Sequence, residues 1–276
     1  MVMNHHEPNF EYIRRLVHER AAIVLEDSKS YLVTARLTPL AEKEGFSSLE
    51  ELVDILRRQS PHSPLVKSVV EAMTTNETSF FRDIAPFEAL RNEVLPAVIK
   101  TNSSRRQLNL WSAACSSGQE PYSVLFEIEE HFPQLAEWNI SFLATDISSE
   151  MCERTRTGEY SQLEVNRGLP AKLLIKYFFR RGIKWQIKPQ FRQRLTIREL
   201  NLIQPWPNLP PIDIVFIRNV MIYFNIKTKR QILSNLRRVL RPGGFLFLGG
   251  AETTLGVDDG FERFPFPKAS CYRLKD

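Results

Sequence analysis

The sequence predicts an α/β protein, a doubly wound, mostly parallel sheet with a small helical domain before it. Three observations carry that expectation. From Gln107 onward, apolar strand-like runs alternate with helical segments at a spacing that suits βαβ units. Before that point the chain shows only helical periodicity. With 276 residues, 43% of them hydrophobic, it has room for one large domain or a small one plus a mid-sized one, and can bury a core.

The elements follow in order. EYIRRLVHERAAIVL, from Glu11 to Leu25, places apolar residues at helical spacing. SSLEELVDILRRQ opens with Ser48 three residues before Glu51, a capping-box pattern. The break QSPHSP, Gln59 to Pro64, precedes the helix LVKSVVEAMT. A further helix, APFEALRNEVLPAVIK, ends at the polar break TNSSRR. QLNLWSA is then a strand running into a turn and helix, ACSSGQEPYSVLFEIEEHF. NISFLATDIS is a second strand, with its helix beginning near Ser148 or Ser149. IDIVFIRNV and GFLFLGG are buried-type strands around the helix KTKRQILSNLRRVLRPGG.

Composition excludes several classes. The N-terminus, MVMNHHEPNFEYIRR, has no apolar core of a signal peptide, and no run of about 18 apolar residues occurs. The cysteines Cys115, Cys152 and Cys271 are odd in number and form no C-x-x-C pair, and no histidines cluster with them. This points to a reducing cytoplasm and away from a structural metal site. The sequons at Asn76 and Asn102 therefore carry no weight. His5, His6, His18, His62 and His131 have no role that the sequence supports.

Charge is unevenly spread. Between Met151 and Leu200 stand twelve basic residues against four acidic ones, +8, whereas the whole chain is +5 and the remainder is −3. Such a segment attracts a polyanion, namely nucleic acid, an anionic membrane surface or an acidic protein face, or is simply a solvated face.

Two stretches point to a ligand. In TTNETSFFRD, Thr74 to Asp83, two adjacent phenylalanines stand among hydrogen-bonding side chains, as at a helix-to-helix turn. The first strand-to-helix turn, AACSSGQE, is rich in small residues but has neither the dinucleotide glycine pattern nor a phosphate-loop lysine. Asp146 ends the second strand, where a carboxylate either accepts ribose hydroxyls or begins a helix cap. Open parallel sheets bind ligands at those strand ends. An adenosine cofactor without a diphosphate, S-adenosylmethionine, fits both facts.

NETSFFRD, SAACSSGQEPYS, ATDIS, RNVMIYFN and LRPGGFLFLGGAET, in that order, closely resemble the CheR family of chemotaxis-receptor glutamate O-methyltransferases. The resemblance implies a helical domain over 1–75 and a Rossmann-like class I methyltransferase domain over 76–276. It also implies a small antiparallel β-subdomain inserted at about 161–200, where KWQIKP and FRQRLTIRE look like strands. It carries Arg82 and Tyr223 over as the active-site pair. It carries Asn76, Thr78, Arg82, Glu120, Asp146, Asn201, Leu202, Arg218 and Asn219 over as cofactor-lining positions, with Phe80 and Phe81 as the wedge that fixes the linker. Gln119 stands where the family usually has a second acidic residue and is assigned nothing.

The resemblance further implies S-adenosylmethionine as cofactor, S-adenosylhomocysteine as product and no metal. The partners it implies are the cytoplasmic helical signalling domains of methyl-accepting chemotaxis receptors, met by a cytoplasmic monomer recruited to membrane receptor arrays. Family members that dock on a receptor C-terminal pentapeptide share a longer, glycine-rich loop. Here YFFRRGIKWQIKP, Tyr177 to Pro189, has the lone Gly182 and looks short, so docking without the pentapeptide is expected. A nucleic-acid methyltransferase is the rival, but the lone Pro-Pro, Pro210-Pro211, lies between Leu209 and Ile212 without the flanking residues that base-amino methylation uses. A scaffold without turnover is the other rival, and the intact Arg82, Asp146 and Tyr223 speak against it.

Overall fold

The computed structural model describes residues 7–275, so His5 and His6 lie outside the described residues. The chain divides into two compact units, one ending at Thr75 but also holding Tyr223–Thr228, the other formed by Asn76–Ile222 and the rest from Lys229. No helix among the described residues is long and apolar enough to cross a membrane.

The helical unit contains α1 (Glu7–Ala21), α2 (Ser30–Lys43), α3 (Leu49–Leu56) and α4 (Pro64–Ala72). Its core is the apolar stripe of each helix, with Ile13, Val17, Leu37, Leu52, Val53 and Val69 fully buried. α1 stops four residues short of Leu25, because Ala22 turns left-handed at φ +55°. The capping box forms by half. Ser48 Oγ accepts the Glu51 N–H at 3.2 Å, but the Glu51 carboxylate goes to the N–H and hydroxyl of Ser47, at 2.7 and 2.5 Å. Ser47 offers two donors where the box needs one, and it wins. Arg36 of α2 closes this unit by donating to the carbonyls of Met73 and Thr74, at 2.7 and 3.0 Å.

The second unit opens with one long helical stretch: α5 (Ile84–Ala89), a π-turn over Leu90–Val94, and α6 (Leu95–Asn102). Pro96 accounts for the irregularity, since its ring excludes a backbone N–H donor at that point and the wider turn absorbs the loss. β1 (Gln107–Ala113), α7 (Gln119–His131), β2 (Asn139–Asp146) and α8 (Ser149–Thr157) follow. Then come the short β3 (Glu159–Tyr160), α9 (Gln162–Asn166), α10 (Ala171–Tyr177), β4 (Phe178–Arg181), β5 (Lys184–Ile187) and α11 (Pro189–Arg192). β6 (Leu195–Glu199), β7 (Ile212–Ile217), α12 (Ile226–Val239), β8 (Leu240–Leu248), β9 (Phe261–Arg263) and β10 (Ser270–Leu274) complete the chain.

Seven strands form one sheet in the order β6-β2-β1-β7-β8-β10-β9. β6, β2, β1, β7 and β8 run parallel, and β10 is antiparallel to both its neighbours. Numbered within the sheet this is 3-2-1-4-5-7-6, the Rossmann-like class I methyltransferase arrangement. The chain leaves β1 on one side and returns on the other, so the switch point lies between β1 and β7. β1 and β7 are buried almost throughout, as parallel strands covered on both faces are.

A separate antiparallel sheet, β3-β5-β4, is the inserted one. Only KWQIKP of the two strand-like runs belongs to it. In FRQRLTIRE, Phe191 and Arg192 end α11 while Leu195–Glu199 pairs with β2 as the edge of the main sheet. Alternating apolar residues mark a strand without saying which sheet takes it. The final helix also ends earlier than its polar run suggests. Leu240 already pairs with Ile212, and Arg241–Gly244 bulge out before Phe245 meets Ile214. Pro242 and the left-handed Gly243, at φ +71°, cannot continue a helix.

Candidate functional site

The turn after β1 is bent by three left-handed residues, Ala114, Ser116 and Gly118, at φ +58°, +50° and +91°. Two of them are not glycine, so surrounding bonds must hold the conformation. Tyr160 donates its hydroxyl to the Ser117 carbonyl at 2.8 Å, and Thr155 Oγ1 donates to the Ser116 carbonyl at 3.0 Å. Gly118 is required by packing as well, since a Cβ there would lie 2.7 Å from Thr155 Cγ2.

Asp146 ties this turn to the next. One carboxylate oxygen accepts the Ser116 N–H at 2.8 Å and the other the Ser148 N–H at 3.0 Å. Ser148 in turn caps α8, accepting the Met151 N–H at 3.3 Å. The carboxylate therefore sits buried at the carboxyl end of β2, bonded to the backbone of both strand-to-helix turns.

The linker stretch is fixed from several sides. The Asn76 carbonyl accepts Ser116 Oγ at 2.8 Å, and Thr78 stands half-buried beside it in sequence. Phe80 is fully buried, edge-on to Tyr160 and Phe178 at 5.0 and 5.7 Å. Phe81 and Asp83 are left-handed, at φ +49° and +57°, so Arg82 is presented between two strained residues. Arg82 donates to the Glu77 carbonyl at 2.8 Å.

Arg218, just past β7, is the hub. It donates to Glu120 at 3.0 Å, to the Arg82 carbonyl at 2.8 Å and to Asp83 at 3.0 Å. Ser112 completes Glu120 by donating at 2.8 Å. The Arg218 side chain is 2% exposed, and its Nε has no acceptor among the described residues. Glu120, Asp83, the Arg82 carbonyl and Arg218, scattered in sequence, are thus joined at the switch point, while the Arg82 guanidinium itself goes to the Glu77 carbonyl.

Asn201 and Leu202 follow β6, whose register is extended by the Leu200 N–H donating to the Asp146 carbonyl at 2.9 Å. Leu202 is buried, and its carbonyl accepts Trp206 Nε1 at 3.1 Å. Asn219 is left-handed at φ +60°. Its N–H and that of Ile222 donate to Glu252, at 2.9 and 3.1 Å, and the Gly249 N–H joins them at 2.6 Å. Glu252 is buried, and sequence reasoning assigned it nothing, though it lies in the motif LRPGGFLFLGGAET. Tyr223 groups with the helical unit, where its carbonyl accepts the Val24 N–H at 2.9 Å.

Residues 76–269 match the family model described as the CheR methyltransferase SAM binding domain, and residues 8–74 match the CheR methyltransferase all-alpha domain. The chain belongs to the CheR methyltransferase family. It is similar to chemotaxis protein methyltransferase Cher2 of Pseudomonas putida, at 42% identity over 97% of this chain and 98% of that one. Chemotaxis protein methyltransferase 1 of Pseudomonas aeruginosa is 43% identical over the same shares, and that of Vibrio cholerae 38% over 95% and 94%. The CheR chain is therefore an S-adenosylmethionine-dependent methyltransferase.

The site fits that cofactor on an observation the fold alone does not demand. A buried guanidinium N–H left unpaired costs about 1–3 kcal/mol, and Arg218 Nε is such a donor. The carboxylate of the methionine moiety is an acceptor of the right charge for it. Among the described residues no cluster of histidine, cysteine, aspartate or glutamate has the makings of a metal site.

Proposed function

We propose that this CheR protein transfers a methyl group from S-adenosylmethionine to glutamate side chains of methyl-accepting chemotaxis receptors, giving methyl esters and S-adenosylhomocysteine. The observation that supports it most is the end-to-end similarity to proteins named chemotaxis protein methyltransferase, through the helical segment as well as the methyltransferase domain. The proposed division is a helical domain to residue 75 and a catalytic domain from 76, with Asn76, Thr78, Arg82, Glu120, Asp146, Asn201, Leu202, Arg218 and Asn219 lining the cofactor.

The chemistry asks little acid–base work of the protein. A glutamate side chain has a pKa of about 4.3 in water and is already a carboxylate at neutral pH. S-adenosylmethionine, when bound, supplies a sulfonium methyl group. The residues must hold the carboxylate in line at about 3 Å, which is catalysis by positioning. Arg82 is suited to orient the anion by a charge-assisted bond, and the Tyr223 phenol by a second. Binding it too tightly would blunt its nucleophilicity, so both are assigned orientation.

Arg82→Ala should lower turnover at least a hundredfold, about 2.7 kcal/mol, while leaving the unfolding midpoint near that of the parent. Tyr223→Phe should cost about tenfold. A grossly destabilised Arg82→Ala would make the residue structural. Asp146→Asn keeps the shape and one acceptor, and should weaken cofactor binding by about 1–3 kcal/mol in calorimetry. An unchanged affinity removes Asp146 from the cofactor's contacts.

The receptor surface is the finer part of the proposal. β4 and β5 are joined by a tight turn at Gly182 and Ile183, which supports docking without a C-terminal pentapeptide. The basic segment is less free than its sum suggests. Seven of its twelve cations have carboxylate partners: Arg154, Arg156, Arg167, Lys176, Arg181, Lys184 and Arg194. Three of those carboxylates, Glu77, Glu129 and Glu130, come from outside the segment, so its local excess falls from +8 to +5. Electrostatic docking should therefore weaken only moderately as salt rises. Radiolabelled methyl transfer to receptor signalling domains, with tRNA and DNA alongside, tests the function. Label in nucleic acid, or in nothing, overturns it, and micromolar binding of a free receptor pentapeptide overturns the docking mode.

A further inference from the structure

We propose that the second unit carries a binding site for a small phosphate-bearing anion, at the opposite pole of the sheet from the cofactor cluster. A cavity of about 160 Å³ opens there between the end of α6, the start of β7 and the turn into β8. Asp213 and Arg218 stand five residues apart at the two ends of β7, so the two places are about 17 Å apart along the strand.

Three arginines line the cavity from three elements: Arg105 after α6, Arg241 in the bulge before Phe245, and Arg273 on β10. The one carboxylate among them is Asp213, 4% exposed. It is fully committed, accepting the Asn109 N–H at 2.7 Å and Asn102 Nδ2 at 3.0 Å, and standing 3.2 Å from Arg241 Nε and 3.5 Å from Arg105 Nη2. Among the described residues Arg241 Nε is nonetheless buried without a hydrogen bond, its line to Asp213 being off-axis. Among the described residues Arg273 donates to the Gly243 carbonyl, at 3.3 Å, and forms no ion pair with Glu262, its cross-strand neighbour on β9. Asp213 thus holds Arg105 and Arg241 in place without neutralising the three arginines.

Three cations and one anion leave +2, which is the charge a phosphate group carries with opposite sign. Guanidinium forks suit phosphate oxygens bidentately. The carbonyls at the end of α6 do not spoil the field, because Lys100 and Asn102 already accept from Ser103 Oγ and from the N–H groups of Arg105 and Arg106. Inorganic phosphate, pyrophosphate and the terminal phosphates of a nucleotide share this chemistry.

Calorimetry on the full chain, saturated with S-adenosylhomocysteine and held at constant ionic strength, decides the matter with pyrophosphate, inorganic phosphate and ADP as separate titrants. Saturable one-site binding is expected, weakened about tenfold by Arg273→Gln and by Arg105→Gln, with S-adenosylhomocysteine affinity unchanged. Stronger binding of ADP than of pyrophosphate would assign a nucleotide, and the reverse a free phosphate compound. Arg273 is exposed, so its variant keeps the core. No saturable heat at millimolar titrant, or equal binding by the parent and both variants, overturns the proposal.

Discussion

Gly168→Ala will destabilise the protein by about 3 kcal/mol or more, among the largest effects of any single methyl group added to this chain. Gly168 lies between α9 and α10 at φ +89°, and a Cβ there would sit 2.0 Å from the Phe80 carbonyl oxygen. That neighbour is backbone, so it can yield only if the linker moves. Gly182 supplies the control. Its φ is also positive, at +60°, but a Cβ there meets nothing within 4 Å. Gly182→Ala should therefore show the conformational penalty alone, about 1 kcal/mol, and the difference between the two variants measures the overlap. Phe80 precedes the strained pair Phe81 and Asp83 around Arg82, so the Gly168 variant should also lose methyl transfer beyond its loss of stability at low temperature. Equal unfolding midpoints for the two variants would show that the linker gives way freely.

Much of this architecture is legible from local pattern, and the failures share a cause. Alternating strands and helices mark the doubly wound sheet because burial on both faces leaves continuous apolar runs such as IDIVFI. Asp146 is readable because a strand end and a helix start meet there in sequence. What pattern cannot show is which distant partner a residue meets. β6 alternates like any half-buried strand, yet its partner is β2, some fifty residues earlier. Arg218 is singled out by its motif, but its bonds to Asp83 and to the Arg82 carbonyl span more than 130 positions. Even a local signal can be lost to a neighbour, as Ser47 takes Glu51 from Ser48, whereas Ser161 and Glu164 form the complete box that SQLE encodes.

Glu252→Ala is the second large effect, and it separates the loop after β7 from the rest of the site. The carboxylate gathers three backbone N–H groups, from Asn219, Ile222 and Gly249, at 2.9, 3.1 and 2.6 Å. Gly249 must be bare for this, since a Cβ on it would lie 2.7 Å from Asn219 Nδ2 and 2.8 Å from Glu252 Oε2. Alanine would leave three donors without their acceptor in a place that is 6% exposed. At about 1 kcal/mol for each, the loss is about 3 kcal/mol, or an unfolding midpoint lower by about 6–12 °C. Glu252→Gln retains the shape but sets an amide N–H₂ against one of the N–H groups, so it should fall between parent and alanine variant. The functional signature distinguishes positioning from mere stability. Measured well below the transition, cofactor affinity should drop in both variants because Asn219 is released from its left-handed pose, whereas the turn held by Asp146 stays in place. A Glu252→Ala protein with the parent's midpoint and affinity would mean that water replaces the carboxylate and that the loop is held by its own turn.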